Sequence, residues 1–266
     1  MQSSPWVLIA LALFSLGCLA NPTEPVETQQ GGVNKAELTR QIQSLENQLK
    51  ARMGAVVLSA DGDTLWQYQA DQRFALTSTF KTLLCAQLLS TQGAADKTVT
   101  MANDDLVSYA PVMEKRIGDT VTGAELCAIT LASSDNSAAN LLLKLLGGPD
   151  QLTAFLRQQG DAITRLDRME TELNSAIPGD LRDTTSPNAM ARTLQHLLLG
   201  QGLSKPAQQQ LRQWMINNQV ADGLLRSVLP DGWGIADRSG AGGNGARAIT
   251  ALVWPFPLYT SYAAHE

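Results

Sequence analysis

Ser78-Thr79-Phe80-Lys81 opens a run, continuing Thr82-Leu83-Leu84-Cys85-Ala86-Gln87-Leu88-Leu89-Ser90, that reads as the start of a buried helix. A serine and a lysine three residues apart share one helical face, so the amine comes within reach of the hydroxyl. A serine hydroxyl is a poor nucleophile until a neighbouring base takes its proton, and a desolvated lysine can be that base. Alone the pair is a weak signal, because ordinary residue usage produces about one Ser-x-x-Lys per chain of this length. Two further fragments strengthen it: Ser134-Asp135-Asn136, and Arg238-Ser239-Gly240.

Outward from that run, the chain divides into patterns of different period. Before it, Leu38, Ile42, Leu45 and Leu49 form one stripe of an amphipathic helix, and residues 54–59 and 64–68 read as strands joined by an Asp61-Gly62 turn. After it, residues 78–215 carry mostly helical signals, interrupted at about 161–187 by a long irregular stretch with charges and prolines. Loops of that length are usually functional or disordered. Strand patterns return at residues 234–239 and 247–254. The expected fold is α+β: an antiparallel sheet flanked by helices, built from both termini, with an inserted all-helical lobe. The α/β lobe would take about 34–70 and 216–266, the helical lobe about 71–215. The site would lie at the seam, where Ser78, Ser134 and Arg238 can converge.

The chain has 266 residues and a net charge of −5, which argues against a nucleic-acid surface. Residues 6–20, WVLIALALFSLGCLA, read as the apolar region and cleavage site of a secretory leader, cut after Ala20, although Met1 to Pro5 carry no Lys or Arg. Cys18 resembles a lipoprotein site, with Ser15 where that motif prefers leucine; discarding Cys18 with the leader is the preferred reading. Two cysteines then remain, Cys85 and Cys127, and an even count in an exported protein suggests a disulfide between the two helices that carry Ser78 and Ser134. A pair of buried free thiols is the alternative. Residues 240–245 satisfy G-x-G-x-x-G, but a strand follows, so the stretch is a hairpin turn and no dinucleotide site. His196 and His265 have no spaced partners, so neither a metal centre nor a Ser-His-Asp triad is expected.

Ser-x-x-Lys, Ser-Asp-Asn and Lys-Thr-Gly together form the signature of class A β-lactamases and penicillin-binding proteins. This chain holds all three in order, the last as Arg238-Ser239-Gly240, and it resembles a class A serine β-lactamase from the residue-35 helix to about residue 254. The arginine variant is that of the carbenicillin-hydrolysing group. Arg168-x-Glu170-x-x-Leu173-Asn174 fits the family's Ω-loop, Asp183 the carboxylate that closes it on Arg168, Tyr109 the aromatic at the pocket mouth, and Arg247 an extra arginine after the glycine turn.

The resemblance implies that Ser78 attacks a β-lactam carbonyl, with Lys81 or Glu170 as acylation base, a choice left open here. Glu170 and Asn174 would hold the hydrolytic water, Ser134 would protonate the departing nitrogen, and Asn136 would bind the substrate's side-chain amide. Backbone N–H groups of Ser78 and Ala241 would form the oxyanion hole. Arginine does not deprotonate, so Arg238 would bind the substrate carboxylate, with Ser239 adding a hydroxyl and Arg247 supporting the same anion. The implied partners are a β-lactam and water, with no cofactor, no nucleic acid and no membrane after leader removal; the implied protein is a periplasmic monomer. The family adds another strand and a long helix after residue 254, whereas here only PFPLYTSYAAHE follows, which predicts low thermal stability. A D,D-peptidase or transpeptidase, and a β-lactam-binding protein that acylates without turnover, are the competing readings.

Overall fold

A computed structural model describes residues 7–12 and 34–255, with side chains for 34–255. Chain order runs β1 (Val7–Ala12), α1 (Lys35–Leu49), β2 (Gly54–Ser59), β3 (Thr64–Tyr68), β4 (Phe74–Ala75), α2 (Phe80–Ser90), β5 (Thr98–Thr100) and β6 (Thr120–Thr122). It continues through α3 (Gly123–Ser133), α4 (Asn136–Leu145), α5 (Pro149–Gln158), β7 (Thr184–Thr185), α6 (Pro187–Leu198), α7 (Lys205–Ile216), β8 (Gly234–Ala241) and β9 (Arg247–Trp254). The strands read from the sequence at 54–59, 64–68 and 247–254 form with those bounds, and the strand from 234 runs two residues further, to Ala241.

The main sheet is antiparallel, in the order β3-β2-β1-β9-β8. Its centre was not foreseen. The apolar stretch read as part of a removable leader supplies β1, paired on one side with β2 and on the other with β9. Cys18, the Ala20 cut, the lead-in at 21–33, His265 and the final residues 256–266 lie outside the described residues.

Helix boundaries follow from capping chemistry. Asn34, Thr122, Asp135, Ser186 and Ser204 each accept a backbone N–H of the first turn of α1, α3, α4, α6 and α7, removing donors that would otherwise be unpaired. At α3 the Glu125 carboxylate takes the Thr122 N–H at 2.8 Å in return. On α1 the expected stripe is narrower than read: Ile42 is buried with Leu38 and Leu49 packed beside it, but Leu45 is 42 % exposed.

The main core runs from the sheet through α6 and α7 to α2, whose residues from Phe80 to Leu88 are all buried. A helix apolar around its circumference belongs at a core centre. The Cys85–Cys127 disulfide ties α2 to α3 with Cα atoms 5.6 Å apart across a separation of 42 residues. In the chain-entropy model such a closure is worth about 4 kcal/mol.

Candidate active site

Ser78 lies just before the α-helix, in a 3-10 turn over Thr77–Thr79 that leads into α2. Thr77 has φ +45°, a left-handed conformation a β-branched residue adopts only under constraint, at a cost of about 1–3 kcal/mol. The strain buys a nucleophile fixed at the seam: Gly240 of β8 lies so close that a Cβ there would sit 2.6 Å from the Ser78 nitrogen. Glycine is required at that point by the approach of two backbones.

Ser134-Asp135-Asn136 is the corner between α3 and α4. Ser134 ends α3 with φ +64°, Asp135 caps α4, and Asn136 begins it. The buried Asp135 carboxylate accepts from the Ala138 nitrogen at 2.9 Å and from the nitrogens of Val112 and Met113 at 3.0 and 2.9 Å, so it also fixes the loop bearing Tyr109. Within the corner the Ser134 hydroxyl donates to Ser78 Oγ at 3.1 Å.

Lys81 is fully buried and donates from Nζ to the Ser134 carbonyl at 2.8 Å, Asn136 Oδ1 at 2.7 Å and Ser134 Oγ at 3.3 Å. The direct reach to the Ser78 hydroxyl expected from helical spacing is therefore replaced by a chain through Ser134. Nζ also faces Glu170 Oε1 at 3.1 Å. Burial pulls the ammonium down to about 8, opposed by the Glu170 charge and assisted by Arg238.

Glu170 is held at both ends of its peptide by Asn140. The Asn140 side chain donates to the Glu170 carbonyl at 2.8 Å and accepts its N–H at 2.8 Å. The Asn174 amide donates to Glu170 Oε2 at 2.5 Å. Asn174 Oδ1 and Ser175 Oγ are buried and accept no hydrogen bond from the described residues, while Glu170 Oε1, equally buried, faces the Lys81 ammonium. The loop carrying them is closed by Arg168, whose Nε donates to the fully buried Asp183 at 2.6 Å, while the backbone nitrogens of Asp167 and Arg168 donate to the other oxygen at 2.7 and 3.0 Å. This exceeds an ordinary surface ion pair.

Arg238 is 1 % exposed and donates to the Leu131 carbonyl at 3.2 Å, to Asn218 Oδ1 at 3.3 Å and to the Ser78 carbonyl at 3.4 Å. Burial lowers its guanidinium to about 10. Asp237 beside it accepts from Arg226 and Asn218, so Arg226, Asp237, Asn218 and Arg238 form one network. Ser239 and Ala241 follow on the same strand edge, half-buried and exposed. Arg247 is not drawn into the cluster: it pairs in register with Ala241 and its guanidinium donates to the Ala246 carbonyl. Tyr109 is 57 % exposed, with φ +62°, and its carbonyl accepts the Asn136 N–H at 3.0 Å.

Sequence reasoning passed over Asp135, Asn140, Asn218 and Asp237. Asn140 had a signal, being four residues after Asn136 on one helix face. Asn218 had none, because it meets Arg238 only through the fold.

A serine fixed beside a strained threonine, a buried lysine, a bridging serine and a carboxylate on a clamped loop, at the seam of a sheet and a helical cluster, define a serine acyl-transfer centre. The comparisons with known proteins agree. The sequence model of the β-lactamase enzyme family matches residues 37–262. The chain is 54 % identical over 214 residues to β-lactamase CARB-4 of Pseudomonas aeruginosa, covering 79 % of this chain and 74 % of that one. It is 51 % identical over 222 residues to β-lactamase PSE-4 of the same organism, covering 82 % and 77 %. Among solved structures, the chromosome-encoded β-lactamase of Vibrio parahaemolyticus superposes with TM-score 0.76 at 41 % identity, covering 83 % and 91 % of the two chains. An ancestral class A β-lactamase superposes with TM-score 0.75 at 45 % identity, covering 84 % and 93 %. The chain belongs to the β-lactamase enzyme family, and its fold is that of the class A enzymes.

Proposed function

We propose that this enzyme hydrolyses penicillins, carboxypenicillins included, through an ester on Ser78, and that the two halves of the reaction use opposite walls of the site. In the first half, with the two hydroxyls turned toward Lys81, the Ser78 proton passes through Ser134 to the neutral amine, and Ser78 Oγ bonds to the lactam carbonyl carbon. The C–N bond then breaks, its nitrogen takes a proton from Ser134, and Ser134 recovers one from the Lys81 ammonium. The pull of Lys81 to about 8 supports a lysine base, since an appreciable neutral fraction exists near neutral pH. In the second half Glu170 takes a proton from water, the hydroxide attacks the ester, and Ser78 Oγ leaves with the proton that Glu170 returns. The single observation that carries this is a pair of buried oxygens, Asn174 Oδ1 with no donor among the described residues and Glu170 Oε1 facing the Lys81 ammonium, on a loop whose Glu170 peptide is clamped by Asn140. Such a pair suits a water molecule that needs two acceptors.

Arg238 supplies fixed positive charge for the substrate carboxylate, with Ser239 beside it; backbone N–H groups of Ser78 and Ala241 stabilise the oxyanion. Asn136 holds Lys81 as well as the substrate amide, and Tyr109 and Arg247 line the mouth. Arg168 with Asp183 holds the loop. The enzyme works as a periplasmic monomer reached through the Sec leader, with an α/β lobe and a helical lobe meeting at the site. Among the described residues no helix is long and apolar enough to cross a membrane. The test follows product per enzyme equivalent with benzylpenicillin and with a chromogenic cephalosporin. Release far beyond one equivalent is expected; a single-equivalent burst with a stable Ser78 adduct would identify a peptidase or a non-turnover binder instead.

A further inference from the structure

The five-stranded sheet is two hairpins held together by one strand. Among the described residues the β2–β3 and β8–β9 hairpins are joined in the sheet only through β1, since the order is β3-β2-β1-β9-β8. The register places Leu8 between Leu58 and Leu252, Ile9 between Val57 and Ala251, and Ala10 between Val56 and Thr250. Both flanking strands are deeply buried there: Val56, Leu58, Ala251 and Leu252 have no exposed surface. In a central strand each backbone N–H and C=O faces one neighbour or the other, so without β1 two ladders of donors and acceptors would open on apolar ground. A row of that kind is a template for another extended segment.

β8 carries Arg238 to Ala241 and presses Gly240 against the Ser78 nitrogen. Its strand partner is β9, and β9 reaches the rest of the sheet through β1. The position of the Arg238 edge therefore depends on what occupies the gap. The occupant is VLIALA, which is also the heart of the stretch that reads as an export leader. Removal of residues 1–20 would take it away.

We propose that the gap between β2 and β9 is a strand-binding site for an extended, apolar, proline-free segment of about six residues, antiparallel to both neighbours. Val7–Ala12 is its resident occupant, so the leader segment completes the catalytic sheet while it stays attached, and a free peptide of that sequence fits the same gap.

The experiment uses the full 266-residue chain made without export, so that the leader is retained. Amide hydrogen exchange should show residues 7–12 protected to the same degree as 249–253; free exchange at 7–12 would overturn the proposal whatever the variants do. Ile9→Pro removes one ladder donor from the central strand and should lower Tm by about 5 °C or more, with hydrolysis falling in step. Added peptide spanning residues 5–14, with terminal lysines for solubility, should restore both, and the same peptide carrying Ile9→Pro should restore neither. An unchanged Ile9→Pro enzyme, restoration by both peptides, or a loss that neither reverses would each refute a strand-accepting site.

Discussion

The corner between α3 and α4 and the loop around Glu170 face the same serine but are finished differently. In the corner, Ser134, Asp135 and Asn136 bind Ser78, Lys81, the Ala138 nitrogen of α4, two nitrogens of the Tyr109 loop and the Tyr109 carbonyl, and α3, which leads into the corner, is tied to α2 by the disulfide. In the loop, Glu170 is anchored through its backbone and faces Lys81, while oxygens of Asn174 and Ser175 stay buried without a donor among the described residues. A buried polar group left unpaired costs about 1–3 kcal/mol, so a fold retains two together only where another molecule will meet them. The corner is built to move a proton between protein groups; the loop is built to receive water. The two halves of the reaction should therefore fail separately.

The largest separation is expected from Glu170→Gln. Removing a positioned general base costs about 10²- to 10⁴-fold, so steady-state penicillin turnover should fall by that factor while the Ser78 ester accumulates. An unchanged kcat would remove the loop from the mechanism. Ser134→Ala should instead slow formation of the ester, by a factor toward the lower end of the same range, with no adduct building up. Rapid-quench measurement of the adduct distinguishes the two. Arg238→Ala deletes charge-assisted contacts and should raise KM for penicillins about 10- to 100-fold with a smaller change in kcat. An unaltered KM would sink the carboxylate assignment.

A pH series sharpens the same comparison. In Glu170→Gln the ester forms without turning over, and its rate should rise with pH as Lys81 gives up its proton. Glu170 is the charge that holds that proton on, so its loss should put the midpoint below about 8. An acylation rate flat across the neutral range would exclude Lys81 as the base. The smallest effect on activity is expected from Cys85→Ala with Cys127→Ala. Losing about 4 kcal/mol should lower Tm by roughly 8–16 °C while kcat at low temperature stays put. A fall in kcat at constant Tm would give the bridge a role in the chemistry.

Much of this was legible in advance, for local reasons. The β2 and β3 strands alternate around a turn that Gly62 closes with φ +93°, and Ser134-Asp135-Asn136 names three consecutive corner positions, a left-handed C-cap, an N-cap and a helix start. Other features depended on partners distant in sequence. The Lys81 amine is routed through Ser134 because Asn136 and the Ser134 carbonyl hold it, which helical spacing alone does not encode. Arg238 is turned among carbonyls by Asn218, twenty residues earlier on another element. The central strand was missed because an apolar run of that length suits a leader as well as a buried strand, and periodicity does not separate them.

The most direct test of the account is a single-turnover comparison of the wild type, Glu170→Gln and Ser134→Ala with benzylpenicillin, following the mass of the Ser78 peptide. The account predicts a transient adduct in the wild type, a persistent one in Glu170→Gln, and slow product release without an adduct in Ser134→Ala. Persistent adducts in both variants, or in neither, would show that the two walls do not divide the reaction between them.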